Sequence, residues 1–315
     1  MPSHIVLTSH YGDSQHLHQC IKSVMLSFIF AGISDYQHVV FVDGLEGKNS
    51  DFNSDHYHYR NTTFHISSKN VGKSSAFNLM LSSVDCQYIY FLDSDDLFFP
   101  QKIYQQYNYL SCNNVVLGTN YLSYTRSSES IFMPSLYPTD DIDIRSAFVF
   151  FPYLLFSSFA CRFSTLSNFS LTPFNDSLTA GIDYHFYSKL LPSVKVANLP
   201  TSLVFYRINP EGMTKTLSTR IVQLNTHISC ASSFLARLIP SIVLPDSPAF
   251  LIYLLFSSKQ ISYEIASSLH PNFDHQHIIN QSKYFLQCNR RSFLSDATTA
   301  TVFNNMNVNL LSWAS

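Results

Sequence analysis

Hydrophobic and polar positions follow two rhythms through the first third of the chain. Short runs of strand formers, HIVLTS at 4–9, HVVFVD at 38–43, TTFHIS at 62–67 and YIYFLD at 88–93, are separated by stretches with helical spacing. Within residues 14–30, Leu17, Ile21, Val24, Met25 and Phe28 recur three or four positions apart, which gathers them on one helix face. SSAFNLMLSS at 74–83 reads as a second helix. Strands alternating with helices are the signature of βαβ units, so the spacing predicts an α/β domain with a mostly parallel sheet flanked by helices. Further on the rhythm weakens: 114–126 and 200–207 read as strands, and 143–172 mixes apolar and Ser-rich pieces. From 218 the pattern turns helical, clearest in TRIVQLNTHISCASSFLARLI and AFLIYLLFSSKQISYEIASSL. The expected organisation is a catalytic domain over 1–217 and a mainly helical extension over 218–315.

Three of the expected strands end in polar residues, at Thr8 to Tyr11, at Asp43 and at Asp93 to Asp96. The carboxyl ends of parallel strands are where α/β sheets bind ligands, because the loops there surround a crevice. Asp93, Asp95 and Asp96 repel one another unless they are solvated, protonated or neutralised by a cation. Hard divalent ions such as Mg²⁺ and Mn²⁺ meet that need and pair one or two carboxylates with substrate phosphates. A plainer use of Ser94, Asp95 and Asp96 is to cap a helix beginning near Pro100.

Composition narrows the choice of partner. Charged residues make up 13% of the 315 and the net charge is -2, without a dense Lys/Arg block, so nucleic acid is not an expected partner. Aromatics reach 15%, which suits both a β-rich core and ring stacking on sugars or bases. The cysteines at 20, 86, 112, 161, 230 and 288 show no zinc-ligand spacing and read as reduced thiols of a cytosolic protein. MPSHIVLTSH lacks a basic region followed by an apolar core and a cleavage site, so secretion is not expected from it. Two apolar stretches, 147–160 and 249–258, fall short of the roughly 20 residues a membrane-spanning helix needs. They read as buried core helices, the second also suiting a peripheral contact at the inner face of a membrane. HYHY at 56–59 and HQH at 275–277 read as exposed loops rather than zinc ligands.

Several motifs in order resemble family 2 glycosyltransferases, whose catalytic domain has the GT-A nucleotide-sugar-binding fold, and the resemblance runs over roughly residues 3–215. TSHYGD is similar to the family's opening strand, with Thr8 and Tyr11 as donor-site candidates. VDG at 42–44 resembles Val-Asp-Asp-Gly, which implies that Asp43 recognises the nucleobase. NVGKSSAFN at 70–78 matches at Asn70, Gly72, Ala76 and Asn78, while Phe77 stands where the family often has Arg. FLDSDD resembles the metal and ribose motif, implying Asp93, Ser94 and Asp95 in the nucleotide-sugar site, with Asp95 and Asp96 on the metal and Asp93 at the ribose or in the metal's water shell. The segment 157–190 resembles the acceptor region and makes Asp183 the candidate base. YRINPEGMT at 206–214 resembles the closing motif, with Arg207 retained and Asn209 where His is usual.

What the resemblance implies is a Mn²⁺- or Mg²⁺-dependent, inverting transfer of sugar from a nucleotide donor, a uridine diphosphate sugar expected, to a carbohydrate or glycolipid hydroxyl. The setting would be polysaccharide, lipopolysaccharide or glycoconjugate synthesis. Lys73 and Arg207 would contact the diphosphate, as cations favour phosphate oxygens, though a surface role suits Lys73 equally. Asp183 without the resemblance would read as a helix cap. Two other readings stay open at this level. One is a nucleotidyltransferase, for which TSHYGDSQH offers no Gly-rich phosphate loop. The other is a decayed transferase that binds nucleotide or carbohydrate without turnover.

Overall fold

A computed structural model describes residues 1–12, 14–45, 52–125, 133–148, 152–208 and 217–238. The chain divides into two compact units, one made of Met1–Thr139, Leu154–Thr179 and Val194–Gly212, the other of Asp140–Tyr153, Ala180–Ser193 and Met213–Ser315.

The first unit is built on one sheet. Its strands are β1 (His4–His10), β2 (Tyr36–Val42), β3 (Thr62–Ile66), β4 (Tyr88–Phe91), β5 (Leu97–Phe98), β6 (Val116–Thr125), β7 (Met133–Pro134), β8 (Ala160–Arg162) and β9 (Val196–Ile208). They run in the order β3-β2-β1-β4-β8-β6-β9-β5, with β7 paired to β6. Strands β3, β2, β1 and β4 are all parallel, as the alternating rhythm predicts. Beyond β4 the sheet is mixed: β8 is antiparallel to β4 and β6, β9 is parallel to β6, and β5 is antiparallel to β9. The expected strand at 114–126 is β6, and that at 200–207 is the latter part of the longer β9.

Helices α1 (Ser14–Ala31), α2 (Lys73–Ser83), α3 (Lys102–Cys112) and α5 (Phe163–Ser167) belong to this unit. Because side chains alternate across a strand, β4 serves two cores at once. Tyr88 and Tyr90 pack with Val24 and Phe28 of α1 and Ile103 and Leu110 of α3. Phe91 turns the opposite way and stacks on Phe159 with centroids 4.5 Å apart and on Phe156 at 5.2 Å. Phe77 of α2 joins the second cluster, edge-on to Phe91 at 5.2 Å and to Phe156 at 5.0 Å. The residue standing in place of the family's usual Arg is thus a core aromatic.

The second unit contains α4 (Asp141–Ala147), α6 (Ile182–Leu190) and α7 (Leu217–Leu238). Gly181 caps α6 with φ 70°, and a Cβ there would approach the Thr226 side chain to 3.1 Å. Small size at this position therefore lets α6 and α7 come close. Phe148 stacks on Tyr184 at 4.5 Å and lies 4.6 Å from Phe234, so an aromatic row continues this packing.

Over 152–160, the longest described run of the stretch 147–160 expected as a core helix, no α-helix forms. Residues 156–158 make a single 3-10 turn and Ala160–Arg162 enters the sheet as β8. The turn chemistry of Pro152 and the serines prevails over local apolarity, and β8 gains ladder partners on both sides. Among the described residues, no helix is long and apolar enough to cross a membrane. The stretch 249–258, HQH at 275–277, Asn209, Cys288 and most of the expected helical extension lie outside the described residues. Cys20, Cys86, Cys112, Cys161 and Cys230 are free thiols. His56 and His58 are exposed as expected, whereas Tyr57 between them is buried against Leu17 and Val40.

One buried cation deserves a physical account. Lys102 is 0% exposed, donates from Nζ to Gln106 Oε1 at 2.5 Å and lies over the Phe98 ring at 4.0 Å. Burial lowers its pKa well below the usual 10.5. The unfolded chain then binds the lysine proton more tightly than the folded chain does, so stability rises with pH between the lowered value and 10.5. Lys102→Met is expected to remove that slope and to stabilise the protein near pH 7, checked by urea unfolding across pH 6–10. Gly118 in β6 is expected to resist substitution, since a Cβ there would fall 2.1 Å from Asn198 Oδ1 and 2.7 Å from Leu154 Cδ2. Gly118→Ala should cost about 1–3 kcal/mol in the same measurement.

Candidate active site

Parallel register brings the ends of β1, β2 and β4 to one edge. Asp43 N donates to His10 O at 2.9 Å and Leu92 N to Leu7 O at 3.1 Å, extending the ladder just past the strands. Asp43 and Asp93 therefore emerge on the same side, as the polar strand ends imply.

From β4 the chain makes a tight turn, Asp93 to Asp96, closed by Asp96 N donating to Asp93 O at 3.1 Å. The alternative use of these residues as a helix cap is not realised: β5 intervenes, and Gln101 occupies the N-cap position of α3. The Ile103 amide of that helix is met instead by Ser27 Oγ at 3.1 Å.

The three carboxylates divide by environment. Asp96 is 1% exposed; its Oδ2 accepts from Ser157 Oγ at 2.5 Å and its Oδ1 from Arg207 N at 2.9 Å. Burial first, then the charges of Asp95 and Asp93, push its pKa well up. Asp93 pairs with Lys73, Nζ to Oδ1 2.5 Å, while its backbone N donates to Ser157 Oγ at 3.1 Å. Asp95 lies between buried and exposed, and burial together with Asp93 raises its pKa against the opposing pull of Lys73 and Arg207. Its backbone carbonyl, rather than its carboxylate, accepts from Arg207 Nε at 2.9 Å.

Arg207 is therefore a strap across the acidic turn. Besides Asp95 O it bonds Gln19 Oε1 at 2.9 Å, and its guanidinium carbon sits 4.9 Å from the Tyr124 ring centre. Lys73 occupies the first turn of α2 and extends over the Phe156 ring at 4.1 Å.

Asp43 organises a second loop. Its Oδ1 accepts from Val71 N at 2.6 Å and its Oδ2 from Gly72 N at 2.9 Å, and Gly72 N is also 3.0 Å from Asn70 Oδ1. Gly44 makes this approach feasible: it has φ 88°, and a Cβ on it would come within 2.7 Å of the Asn70 amide nitrogen. Thr8 is buried in β1 opposite Val40 of β2, with Oγ1 2.9 Å from His38 Nε2. Burial lowers the His38 pKa to about 3, so the ring is neutral and the pair is uncharged. Tyr11, at the end of β1, is 47% exposed. Ser94 is half-buried within the acidic turn.

Asn78 points to the turn around Phe174, donating to Phe174 O at 2.9 Å and Asp176 Oδ1 at 3.0 Å and accepting from Phe174 N at 3.1 Å. Asp183 belongs to the second unit, in the first turn of α6, where its Oδ1 accepts from Tyr184 N at 2.9 Å. Ser157 and Gln19 were not legible as site residues. Gln19 sits within the apolar-patterned first helix and Ser157 opens the segment that resembles the acceptor region, but neither spacing singles them out, and only folding brings them to the acidic turn. Among the described residues, no group of three His, Cys, Asp or Glu side chains converges on a metal position.

A mostly parallel sheet bearing an acidic turn at its carboxyl edge is the architecture of GT-A glycosyltransferases. The family model for glycosyl transferase family 2 matches residues 5–164, just over half of the chain, which therefore belongs to that family and is a glycosyltransferase. Similar solved structures include S. aureus TarS, with TM-score 0.57 and 13% identity over 98% of this chain and 53% of that one. The chain thus spans about half the length of full TarS. TarS 1–349, whose crystal structure has also been solved with UDP-GlcNAc, aligns over 99% of this chain and 91% of that one at 12% identity with TM-score 0.57. A mannosyltransferase from Pyrobaculum calidifontis, in complex with GDP-Man and Mn²⁺, aligns over 100% of this chain and 88% of its own with TM-score 0.53 and 12% identity. At these identities the likeness is one of fold. No curated protein matches the sequence.

Removing the Asp43 carboxylate should release the Val71 and Gly72 amides. Asp43→Ala is expected to cost about 2–3 kcal/mol, the worth of hydrogen bonds to a charged group, and to speed hydrogen exchange at those two amides selectively. Native-state exchange by NMR checks this.

Proposed function

We propose that the protein transfers a sugar from a nucleoside diphosphate donor, with uridine diphosphate as carrier, to a hydroxyl of a carbohydrate or glycolipid acceptor, with inversion at the anomeric carbon and the help of Mn²⁺ or Mg²⁺. Polysaccharide, lipopolysaccharide or glycoconjugate synthesis is the setting. The observation that carries the reading is the acidic turn after β4: half-buried Asp95 lies in that turn, within electrostatic reach of Asp93 and Lys73, which pair with each other. TarS in complex with UDP and UDP-GlcNAc supports uridine as the carrier, and the complex of the P. calidifontis enzyme with GDP-Man supports a nucleotide sugar more broadly.

The donor set suits a hard divalent cation. Asp95 and Asp93 offer only oxygen ligands and too few to enclose an ion, which matches cations that complete their shells with phosphate oxygens and water. Asp96, sealed and bonded on both oxygens, supports the turn from behind rather than reaching the ion. When bound, the cation supplies Lewis acidity that neutralises charge growing on the departing diphosphate. Asp43 acts by holding the 70–72 backbone against the end of β2, with Thr8, Tyr11, Asn70 and Gly72 completing the nucleoside side and Ser94 the ribose side. Arg207 acts on the diphosphate indirectly, by fixing the turn.

Asp183 takes the proton from the attacking hydroxyl. A single base without a second carboxylate nucleophile makes the displacement direct, which inverts the anomeric centre. Residues 1–217 carry nucleotide binding and chemistry in this assignment, and the helical remainder is appended.

Release of UDP from UDP-GlcNAc in the presence of Mn²⁺ and an acceptor panel provides the assay. Asp183→Asn should lose about 10²–10⁴-fold in transfer rate, the usual contribution of a general base, while still binding UDP. Asp95→Asn should lose transfer together with its response to Mn²⁺. Wild-type rates in both variants would refute the assignment.

A further inference from the structure

The Lys73–Asp93 ion pair joins two groups that the donor site needs for different partners. Nζ and Oδ1 are 2.5 Å apart, with the side chains 25% and 27% exposed, and the ammonium rests over the apolar face of Phe156. The two ends are built differently. Asp93 is held through its backbone, N to Ser157 Oγ and O to the Asp96 amide. Lys73 carries its charge at the end of a four-carbon stem that starts in the first turn of α2. A cation approaching Asp93 and Asp95 meets an ammonium already in place, and a diphosphate approaching Lys73 meets two carboxylates. Each ligand alone is opposed by a fixed charge that the other would remove.

We propose that Lys73 is an exchangeable counter-ion, paired with Asp93 before the donor binds and transferred to the diphosphate when a divalent cation takes its place, so that cation and nucleotide bind with mutual reinforcement. This rests on the donor-site reading above and adds to it an order of events and a positioning residue. Linkage requires the reinforcement to be reciprocal: nucleotide tightens the cation by the same factor as the cation tightens nucleotide.

Calorimetry with Mn²⁺ and UDP, singly and together, tests the exchange. Wild-type protein should bind each weakly alone and more tightly together. Lys73→Met should bind Mn²⁺ alone about tenfold more tightly, the effect of removing one neighbouring opposed charge, and show weaker coupling to UDP. Asp93→Asn, which frees Lys73 at the expense of a cation ligand, should bind UDP alone more tightly than wild type and respond little to Mn²⁺. A purely structural ion pair would instead weaken every affinity in both variants, with lowered thermal stability. If wild type binds UDP and Mn²⁺ but neither variant gains affinity for its single ligand, the exchange is refuted and the donor site stands. If wild type binds no UDP with or without Mn²⁺, the donor-site reading falls and the exchange with it.

Discussion

A carboxylate with almost no access to water, that of Asp96, holds the acidic turn to the rest of the first unit. It accepts from Ser157 on one oxygen and from the Arg207 backbone on the other. Those donors lie 61 and 111 residues away in sequence, so one side chain joins the end of β4 to the segment before β8 and to β9. Burying a carboxylate is costly unless donors replace its water. Here two strong donors do so, and the arrangement survives only while all three segments keep their places.

The remaining site charge is organised around that anchor. Arg207, brought to the turn by its own backbone bond to Asp96, spans Asp95 O and Gln19. Ser157 serves both neighbours, accepting from Asp93 N while donating to Asp96. With Asp96 sealed, Asp93 and Asp95 stay half-buried, and Lys73 balances Asp93 over an apolar ring floor. Phe77 completes that floor from behind, where it packs edge-on against Phe156. Where the family usually has Arg, this chain thus has an aromatic that packs against the ring under Lys73, one helical turn earlier.

A second carboxylate, Asp43, does comparable work for backbone rather than side chains. It turns two loop amides toward β2, and Gly44 leaves the space for them. The motif spacing in VDG is then explained sterically: acid to hold the loop, glycine to admit it. In the second unit, Gly181 plays the admitting role where α6 meets α7, one position before the turn that bears Asp183.

Much of this was legible in the sequence, for reasons that are local. Apolar runs buried on both faces give β1, β2 and β4, helical spacing gives α1 and α2, and acids just past strand ends must lie on the carboxyl edge of a parallel sheet. Within a few residues, backbone periodicity and burial determine these outcomes. The partners of each acid were not legible. Asp95 and Asp96 are adjacent and chemically identical, yet one is half-buried and the other sealed, because the surroundings of each depend on donors distant in sequence. Likewise β8 arose where apolarity alone suggested a helix, since strand pairing with β4 and β6 is a contact no local window contains. The sequence alone determined where charge would gather; tertiary structure decided which carboxylate is sealed, because hydrogen bonds from residues far along the chain satisfy both oxygens of Asp96 while Asp95 stays half-buried.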